Sequence, residues 1–333
     1  MSNVERTAIL LLAHGTPDAL DEIPEYLRNV TSGRALPQSA IDEITHRYSL
    51  IGKSPLTDIT LAQARLLEWH IGLPVYIGMR NWKPYIASVV RQMRENGIVA
   101  IAAICLAPQN SRTSVGLYRR AVLAEAGHDL AVDFTDTWAD HPLLIEAFAD
   151  RLRTKYRTLT TELGRAVPVL FTAHSVPCRT IQSAASTATD PQTTAAQGSP
   201  DPYAIEAKRT ATLVAAQLAS EGLRDTDWFF GFQSQGISGG PWIGPTVEDT
   251  LTALRQAGHT AVIIHPIGFL CDHVEILYDI DIGFREFGQR IGLRVERPES
   301  LNESPALTRA LANLAQNALA RLTACSVNTV PVP

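Results

Sequence analysis

Continuous apolar runs alternate along this chain with amphipathic stretches, and this alternation limits the fold more than any other feature. Three early runs read TAILLLAHG (7–15), LPVYIGMR (73–80) and VAIAAICLAP (99–108). Their apolar residues are consecutive, which is typical of parallel strands covered on both faces. Residues 60–72 and 85–97 carry apolar side chains at three- and four-residue spacing and end at glycine, which predicts helices. Strand and helix therefore alternate, which predicts a parallel sheet with right-handed crossovers.

The same alternation continues and then restarts after Gly164. A fourth strand is predicted at 132–138 and its helix at 141–156. The second series alternates strand and helix at 167–175, 204–222, 228–235, 246–258 and 261–269. A chain of 333 residues suggests two domains at about 100–200 residues each. The predicted class is α/β, with two doubly wound Rossmann-like halves whose parallel sheets face a common cleft.

The predicted boundaries follow from these series. The first half spans residues 1–164 and the second half spans residues 165–303. A closing helix at 304–324 and a tail at 325–333 follow. Residues 17–58 hold two helix-like pieces and form a long excursion after the first strand, where α/β proteins build binding clefts. Residues 183–201 are small, polar and turn-rich, which indicates a mobile loop.

Composition excludes several classes of protein. The formal charge is -5, and no Lys/Arg-rich face is visible, so nucleic acid is not an expected partner. No apolar run reaches the roughly 18 residues of a membrane helix, and the N-terminal run fits a buried strand better than a signal peptide. The expected location is the cytoplasm, and a monomer is the simplest expectation.

The four cysteines do not form a recognisable cluster. They are Cys105, Cys178, Cys271 and Cys325, and no two lie within four residues of each other. Zinc-ribbon and CxxC spacings are therefore absent from the sequence, and an iron–sulfur cluster is not expected. We expect reduced, structural cysteines and no cofactor of that kind.

Reactive side chains follow the apolar strands. His14 follows the first strand, Gln109 the third, His174 and Gln233 two strands of the second half, and the stretch GFLCDHVEILYDID (268–281) the last. Because the carboxyl ends of parallel strands share one edge of a sheet, these groups are predicted to face one cleft.

His174, at a polar turn after its strand, is a candidate base or ligand. The alternative is a histidine that only hydrogen-bonds a loop. A hydrolase with Ser175 as nucleophile is disfavoured, because adjacent turn residues rarely point at each other and no GxSxG elbow surrounds the serine.

The acidic stretch 268–281 has two interpretations. If residues 272–283 are helical, Asp272, Glu275 and Asp279 share one face. Val274, Leu277 and Tyr278 would then face the core. In the first interpretation the whole face is a solvated acidic surface, with Asp272 as the cap of the helix. A line of carboxylates starting at the cleft also suits a divalent cation that loses water stepwise.

The glycine-rich stretch 231–249 is not a phosphate-binding loop. It lacks both GxGxxG between strand and helix and GxxxxGK[ST]. Gly244-Pro245-Thr246 instead reads as a helix start. Trp242 either packs against the domain edge or forms a wall for a flat ligand.

These motifs together resemble the ferrochelatases, which insert Fe²⁺ into a porphyrin to make haem. The matching stretches occur in the family's order over nearly the whole chain and read LLLAHGTP, RYSLIGKSPL, VYIGMRNWKPYI, LAPQNSRTSVGLY, FTAHSVP, GFQSQG…GPWIGP and GFLCDHVEILYDID. The resemblance implies a chelatase-type lyase of two Rossmann-like halves, with porphyrin and ferrous iron as its partners and no cofactor beyond Fe²⁺.

The resemblance also implies roles for individual residues. His174 and Glu275 match the active-site pair for iron and proton transfer, with His174 as a proton acceptor if it is neutral. Asp279 matches part of an acidic track behind them. Further residues are implied in substrate binding: Ser54, Tyr118, Trp242, His14 and Arg34.

Three positions depart from the family pattern. Some members have a tyrosine that ligates the product iron where His14 stands, a role that histidine can fill chemically. Thr31-Ser32 replace a basic pair, which leaves Arg34 as the anion partner. Gly283 replaces an acid of the track, so a second metal site there is not expected.

The porphyrin itself is left open between two compounds. The segments TSGRALP and VYIGMRNWKPY look most like members that use coproporphyrin III, and protoporphyrin IX is the alternative. A cobalt or nickel chelatase and a non-catalytic tetrapyrrole-binding protein are the remaining alternatives.

Overall fold

The computed structural model describes residues 6–181, 201–236 and 240–327, and its strands form two four-stranded parallel sheets. The strands of the first sheet are β1 (Thr7–Ala13), β2 (Val75–Met79), β3 (Ala100–Cys105) and β4 (Ala131–Thr135). Their order across the sheet is β2-β1-β3-β4. The strands of the second sheet are β5 (Val169–His174), β6 (Trp228–Gln233), β7 (Ala261–Pro266) and β8 (Arg294–Glu296). Their order is β6-β5-β7-β8. The predicted α/β class with two parallel sheets is confirmed.

Helices connect the strands and cover both faces of each sheet. In the first half they are α1 (Ile23–Val30), α2 (Gln38–Ile51), α3 (Leu56–Ile71), α4 (Ile86–Glu95), α5 (Val115–Ala126) and α6 (Pro142–Leu163). The remaining α-helices are α7 (Cys178–Ile181), α8 (Tyr203–Gln217), α9 (Val247–Gln256), α10 (Val274–Leu277), α11 (Arg285–Ile291) and α12 (Pro305–Val327). Short 3₁₀ turns span Leu20–Glu22 and Ala219–Glu221, and a π-helix spans Asp279–Phe284. The predicted excursion 17–58 contains α1 and α2.

The packing of strand β1 explains why apolar and polar residues do not alternate in its sequence. Its odd-numbered residues, from Ile9 to Ala13, pack into one buried cluster with α6 and α12, and its even-numbered residues pack into another beneath α4 and α5. The odd-numbered residues of β5 belong to the same cluster as those of β1. The two sheets therefore share one hydrophobic core. The predicted domain boundaries at residues 164 and 303 remain predictions.

The closing helix lies against the first sheet. The predicted helix 304–324 is observed as α12, which packs on α3, α6, β3 and β4. The predicted loop 183–201 lies outside the described residues except for Asp201, and so does the tail beyond Val327. No helix in the described part of the chain is long and apolar enough to cross a membrane.

His265 on β7 is a buried histidine, and it should make the protein less stable in acid. Its ring lies between Phe148 and Phe171, and its Nε2 donates a hydrogen bond to the Phe148 carbonyl oxygen at 3.2 Å. Burial lowers its pKa to about 3 despite this hydrogen bond. Below about pH 6.5 the unfolded chain binds a proton here that the folded protein does not. The free energy of unfolding should therefore fall by about 1.4 kcal/mol per pH unit from this group alone.

Replacing this histidine tests the assignment. The variant His265→Gln should lose about one proton from the pH dependence of unfolding, because glutamine does not titrate. Urea unfolding of both proteins between about pH 7 and about pH 4.5 measures the two slopes. Equal slopes would show that His265 is not the titrating group.

Candidate active site

The carboxyl ends of strands from both sheets open into one cleft with a cavity of about 460 Å³. His14 follows β1, Arg80 follows β2, Gln109 follows β3, and His174 ends β5. Glu275, in α10, completes this wall of the cavity. The prediction that strand-end side chains share one cleft is confirmed for His14, Gln109, His174 and Glu275, whereas Gln233 does not line the cavity.

The side chains of His174 and Glu275 meet in the cleft. The His174 Nε2 atom lies 3.3 Å from Glu275 Oε1, and Glu275 Oε2 lies 3.5 Å from His273 Nε2. The other ring nitrogen of His174 contacts the carbonyl oxygen of Ser175. The His174 side chain is 36% exposed and the Glu275 side chain 31% exposed, so a ligand in the cleft can reach both.

This contact sets the charge of both groups. Burial alone would lower the pKa of His174, but Glu275, the Ser175 carbonyl oxygen and Asp279 outweigh it and raise that pKa to about 9. Burial alone would raise the pKa of Glu275, but His174 and His273 hold it well below its usual range. The substrate-free site therefore holds an imidazolium–carboxylate pair at neutral pH, whereas proton acceptance by His174 requires a neutral ring.

Backbone contacts bring the two residues together. Gly268 follows β7 and lies so close to β5 that a Cβ atom there would be 2.9 Å from Ala173 Cα, so the approach requires glycine. Gln233, at the end of β6, donates its Nε2 hydrogen to the Glu275 carbonyl oxygen at 2.9 Å. The Tyr203 hydroxyl donates to the His174 carbonyl oxygen at 2.9 Å. Both catalytic candidates are thus held through their main chains.

The acidic stretch is not the single regular helix that the sequence predicted for 272–283. Helix α10 ends at Leu277, and a π-helix follows, in which the Gly283 N–H donates to the Tyr278 carbonyl oxygen at 2.9 Å. The prediction that Val274, Leu277 and Tyr278 face the core is wrong for Leu277 and Tyr278, whereas the half-buried Val274 packs against the buried cluster that contains Ile23 and Trp82. Each π turn holds an extra residue, and the residues that enter the second half's core are Ile276, Ile280 and Phe284.

Asp272 does not cap the helix, because a buried arginine binds it instead. His273 occupies the N-cap position and makes no side-chain capping bond. The Asp272 carboxylate accepts hydrogen bonds from Ser300 at 2.6 Å and Asn302 at 2.9 Å, and it lies 3.2 Å from Arg297 Nη2. Arg297 also donates to both carboxylate oxygens of Asp281, at 2.8 and 2.7 Å. One arginine therefore holds both ends of the segment that carries Glu275.

Removing this arginine should destabilise the protein. Its side chain is only 10% exposed, and Arg297→Met would leave Asp272 without its cation and Asp281 with only the exposed Arg285, 3.3 Å away. These carboxylates are each 21% exposed, so we expect a loss of about 3 kcal/mol, the low end for breaking a buried ion pair. Arg294→Met is the matched control, because Arg294 is 44% exposed where it pairs with Glu162, and it should cost less than about 1 kcal/mol. Equal losses in urea unfolding would contradict the prediction.

Asp279 lies behind Glu275 in a mostly buried position. Its Oδ2 atom accepts the Ser234 hydroxyl, and its Oδ1 atom lies 3.4 Å from Arg47 Nη1. Burial raises its pKa, as does the charge of Glu275, and the Ser234 hydrogen bond only partly offsets this, so the pKa is about 6. Asp279 therefore does not line the cavity, but its charge interacts with those of Glu275 and His174, while Asp272 pairs with Arg297 instead.

His14 lines the cleft and belongs to a polar network. Its Nε2 atom lies 3.1 Å from the Tyr26 hydroxyl and 3.0 Å from Asn81 Nδ2. Partial desolvation and the Arg80 charge lower its pKa, so the ring is neutral. The next residue, Gly15, has φ +84°, and a Cβ atom there would lie 2.8 Å from the Trp82 nitrogen, so this turn also requires glycine.

The other predicted substrate-binding residues divide into two groups. Tyr118 and Trp242 line the cavity. Ser54 and Arg34 are not among the residues that line it. The Ser54 hydroxyl is buried without a hydrogen-bond partner in the described structure, and Arg34 is exposed, with its Nε bonded to the Thr31 carbonyl oxygen at 3.2 Å. Roles for Ser54 and Arg34 stay predictions.

Several residues of the site were missed in the sequence. Arg80 and Asn81 come directly after the strand LPVYIGMR, so the strand-end rule would have found them had it been applied to that strand. No local pattern indicated Tyr26, which comes from α1, or Arg297, which lies far along the chain from Asp272. These residues reach the site only through the packing of distant elements.

The chain matches one protein family over nearly its whole length. A sequence model of the ferrochelatase family matches residues 6–319. A protein of Acidobacterium capsulatum named ferrochelatase is 62% identical, over 96% of this chain and 97% of that protein. A protein of Geobacillus sp. named coproporphyrin III ferrochelatase is 30% identical, over 93% of this chain and 97% of its own. The similarity therefore includes both halves of the cleft.

Solved structures support the same fold. The structure of SirB from Bacillus subtilis with Fe³⁺ has a TM-score of 0.57 and 12% sequence identity, and the similarity covers 96% of this chain and 98% of that chain. At this low identity the likeness concerns the fold, which in both proteins is of the chelatase type.

Proposed function

We propose that this chain, which belongs to the ferrochelatase family, inserts Fe²⁺ into coproporphyrin III at the His174–Glu275 pair. The observation that carries the choice of site is the 3.3 Å contact between His174 Nε2 and Glu275 Oε1 in the cleft between the sheets. Metal insertion needs a group that takes protons and a group that attracts a dication. A histidine paired with a carboxylate supplies both.

The first task of the pair is to remove protons. Two pyrrole N–H protons leave the porphyrin as one Fe²⁺ enters, so the site must accept two protons in each turnover. His174 is protonated in the substrate-free site, where Glu275 is its main counter-charge and Asp279 adds to it. A dication at Glu275 would replace the imidazolium as the partner of the carboxylate and lower the pKa of His174. His174 would then release its own proton to bulk water, and its Nε2 would take the two pyrrole protons one after the other, passing each to water.

The second task is to bring the iron. Asp279 lies behind Glu275, and its pKa of about 6 leaves it mainly ionised at neutral pH. Carboxylate oxygens suit ferrous iron during stepwise loss of water. Arg47, 3.4 Å from Asp279, holds the carboxylate in place, and Gly283 adds no third acid beyond it. The proposal requires no cofactor beyond the Fe²⁺ substrate.

The cleft wall beside α5 favours the porphyrin with more carboxylates. The hydroxyl residues Ser111, Thr113 and Ser114 line it, together with Arg80, whose guanidinium carbon lies 5.6 Å from the centre of the Tyr118 ring. Hydroxyl and guanidinium donors suit carboxylates. Coproporphyrin III has four propionates and protoporphyrin IX has two. Coproporphyrin III can therefore form hydrogen bonds with more of these hydroxyl and guanidinium donors. The half-buried Trp242 indole offers a flat apolar surface to the macrocycle, whereas the Tyr118 ring is buried beneath Arg80.

Turnover with the two porphyrins tests the choice of substrate. We expect kcat/KM for anaerobic Fe²⁺ insertion to be at least about tenfold higher with coproporphyrin III, because unpaired polar groups in the wall penalise the other ring. A higher value with protoporphyrin IX would reverse the substrate assignment and leave the iron chemistry intact. Binding of both porphyrins without metallation of either would refute the enzymatic proposal.

A further inference from the structure

We propose that Asn81 fixes the proton of His14 on Nδ1, so that His14 offers the substrate an N–H donor and offers its iron no lone pair. The proposal rests on the proposed function, since it concerns the residue that faces the porphyrin cleft from β1. It makes Asn81 a positioning residue and reverses the role of iron ligand that the resemblance suggested for His14.

The orientation of the Asn81 amide follows from its neighbours. The Arg80 Nε–H donates to Asn81 Oδ1 at 3.3 Å, so the oxygen faces Arg80 and the NH₂ group faces His14. The side chain has little freedom to turn, because Asn81 is only 3% exposed. Its main chain is held as well, since its N–H donates to the His14 carbonyl oxygen at 2.9 Å and its own carbonyl accepts from Asn29 at 3.2 Å.

The position of the proton on His14 follows from that orientation. The Asn81 NH₂ group lies 3.0 Å from His14 Nε2, and it can only donate, so Nε2 must accept. The neutral ring therefore carries its proton on Nδ1. The opposite tautomer would set an N–H against the NH₂ group at this distance. The Tyr26 hydroxyl, 3.1 Å from Nε2, can donate or accept, so Asn81 decides between the tautomers.

Neither ring nitrogen of His14 is then free for iron. Imidazole binds a metal through an unprotonated nitrogen. The Nε2 lone pair is engaged by Asn81 and Tyr26, and Nδ1 carries the proton. Among the residues that the structure describes, no acceptor is bonded to Nδ1, and the ring is exposed to the cleft. His14 thus serves as a hydrogen-bond donor to an oxygen of the bound substrate, and the product leaves without breaking an iron–nitrogen bond.

Nitrogen NMR of the substrate-free protein with ¹⁵N-labelled histidine tests the tautomer. We expect His14 to be protonated on Nδ1 in the wild type. In Asn81→Asp the carboxylate can accept from Nε2–H while Arg80 still bonds its other oxygen, so the proton should move to Nε2. The control is Asn96→Asp, an exposed change where the amide donates to Tyr76 at 3.0 Å, and it should leave His14 unchanged. A wild type protonated on Nε2, or an unchanged tautomer in Asn81→Asp, would overturn the proposal.

Spectra of the complex with iron coproporphyrin test the consequence. We expect the wild type and His14→Ala to share the same axial ligation by absorption and electron paramagnetic resonance. Asn81→Asp should gain a nitrogen ligand that Asn81→Asp/His14→Ala lacks, and its product should dissociate about tenfold more slowly, equivalent to about 1.4 kcal/mol. A nitrogen ligand in the wild type that His14→Ala removes would overturn the proposal, as would a moved proton without a new ligand. Failure to metallate either porphyrin would count only against the proposed function, because the NMR result does not depend on turnover.

Discussion

Alanine in place of His174 should reduce kcat for iron insertion by about 10²–10⁴-fold, the usual contribution of a positioned base. The reason is that the variant lacks the imidazole that accepts the pyrrole protons after Fe²⁺ has become the counter-charge of Glu275. Porphyrin binding should survive, because Tyr118 and Trp242 line the cavity independently of this ring. Anaerobic steady-state assays give kcat, and quenching of porphyrin fluorescence gives the dissociation constant.

His141→Ala is the matched control for this prediction. Its Nε2 atom bonds Asn313 on α12 at 3.0 Å, and the residue does not line the cavity. We expect turnover like that of the wild type. Normal turnover in the His174 variant itself would remove this residue from the mechanism, and lost porphyrin binding would indicate a structural role.

Glutamine in place of Glu275 should cost about 10²-fold or more in kcat, because it removes the charge that attracts the dication and balances His174. It should also change the charge of the histidine. Burial lowers the pKa of His174, and Glu275 is the first of the groups that raise it to about 9. Without that carboxylate we expect this pKa to fall to about 6.5 or below, so that the ring is neutral at pH 7 in the substrate-free variant. NMR titration of His174 measures this shift.

The variant Asp279→Asn tests whether Asp279 has a role distinct from that of the His174–Glu275 pair. Asp279 is bonded to Ser234 and paired with Arg47, outside the contact between His174 and Glu275. We expect a higher KM for Fe²⁺ with a smaller loss of kcat than in the Glu275 variant. If the Glu275 variant showed only a slightly raised iron requirement, Glu275 would be a guide for iron and not part of the chemistry.

Most of the secondary structure was readable from the sequence because one physical rule governs it. A strand covered on both faces must be apolar throughout, and the packing of β1 into two clusters shows this directly. The segment 272–283 was predicted wrongly because the spacing was taken as one α-helix with 3.6 residues per turn, whereas α10 ends at Leu277 and a π-helix spans Asp279–Phe284.

The site was readable only in part. The strand-end rule correctly brought His14 and His174 to one cleft, since it depends on the direction of parallel strands and on nothing more distant. It could not show that Asp272 turns to Arg297, because a side chain chooses among partners that only the folded chain supplies. The same limit applies to Asn81, whose bond to His14 depends on how the ends of β1 and β2 lie beside each other.

Local apolar runs and motifs were enough to predict the α/β class, the two parallel sheets and the candidates His174 and Glu275. The charges and proton positions in the cleft could be found only in the folded chain. The raised pKa of His174 comes from its contact with Glu275, and the tautomer of His14 comes from the amide of Asn81. Both depend on distances between atoms far apart in the chain, and Coulomb energies and hydrogen bonds are set by those distances.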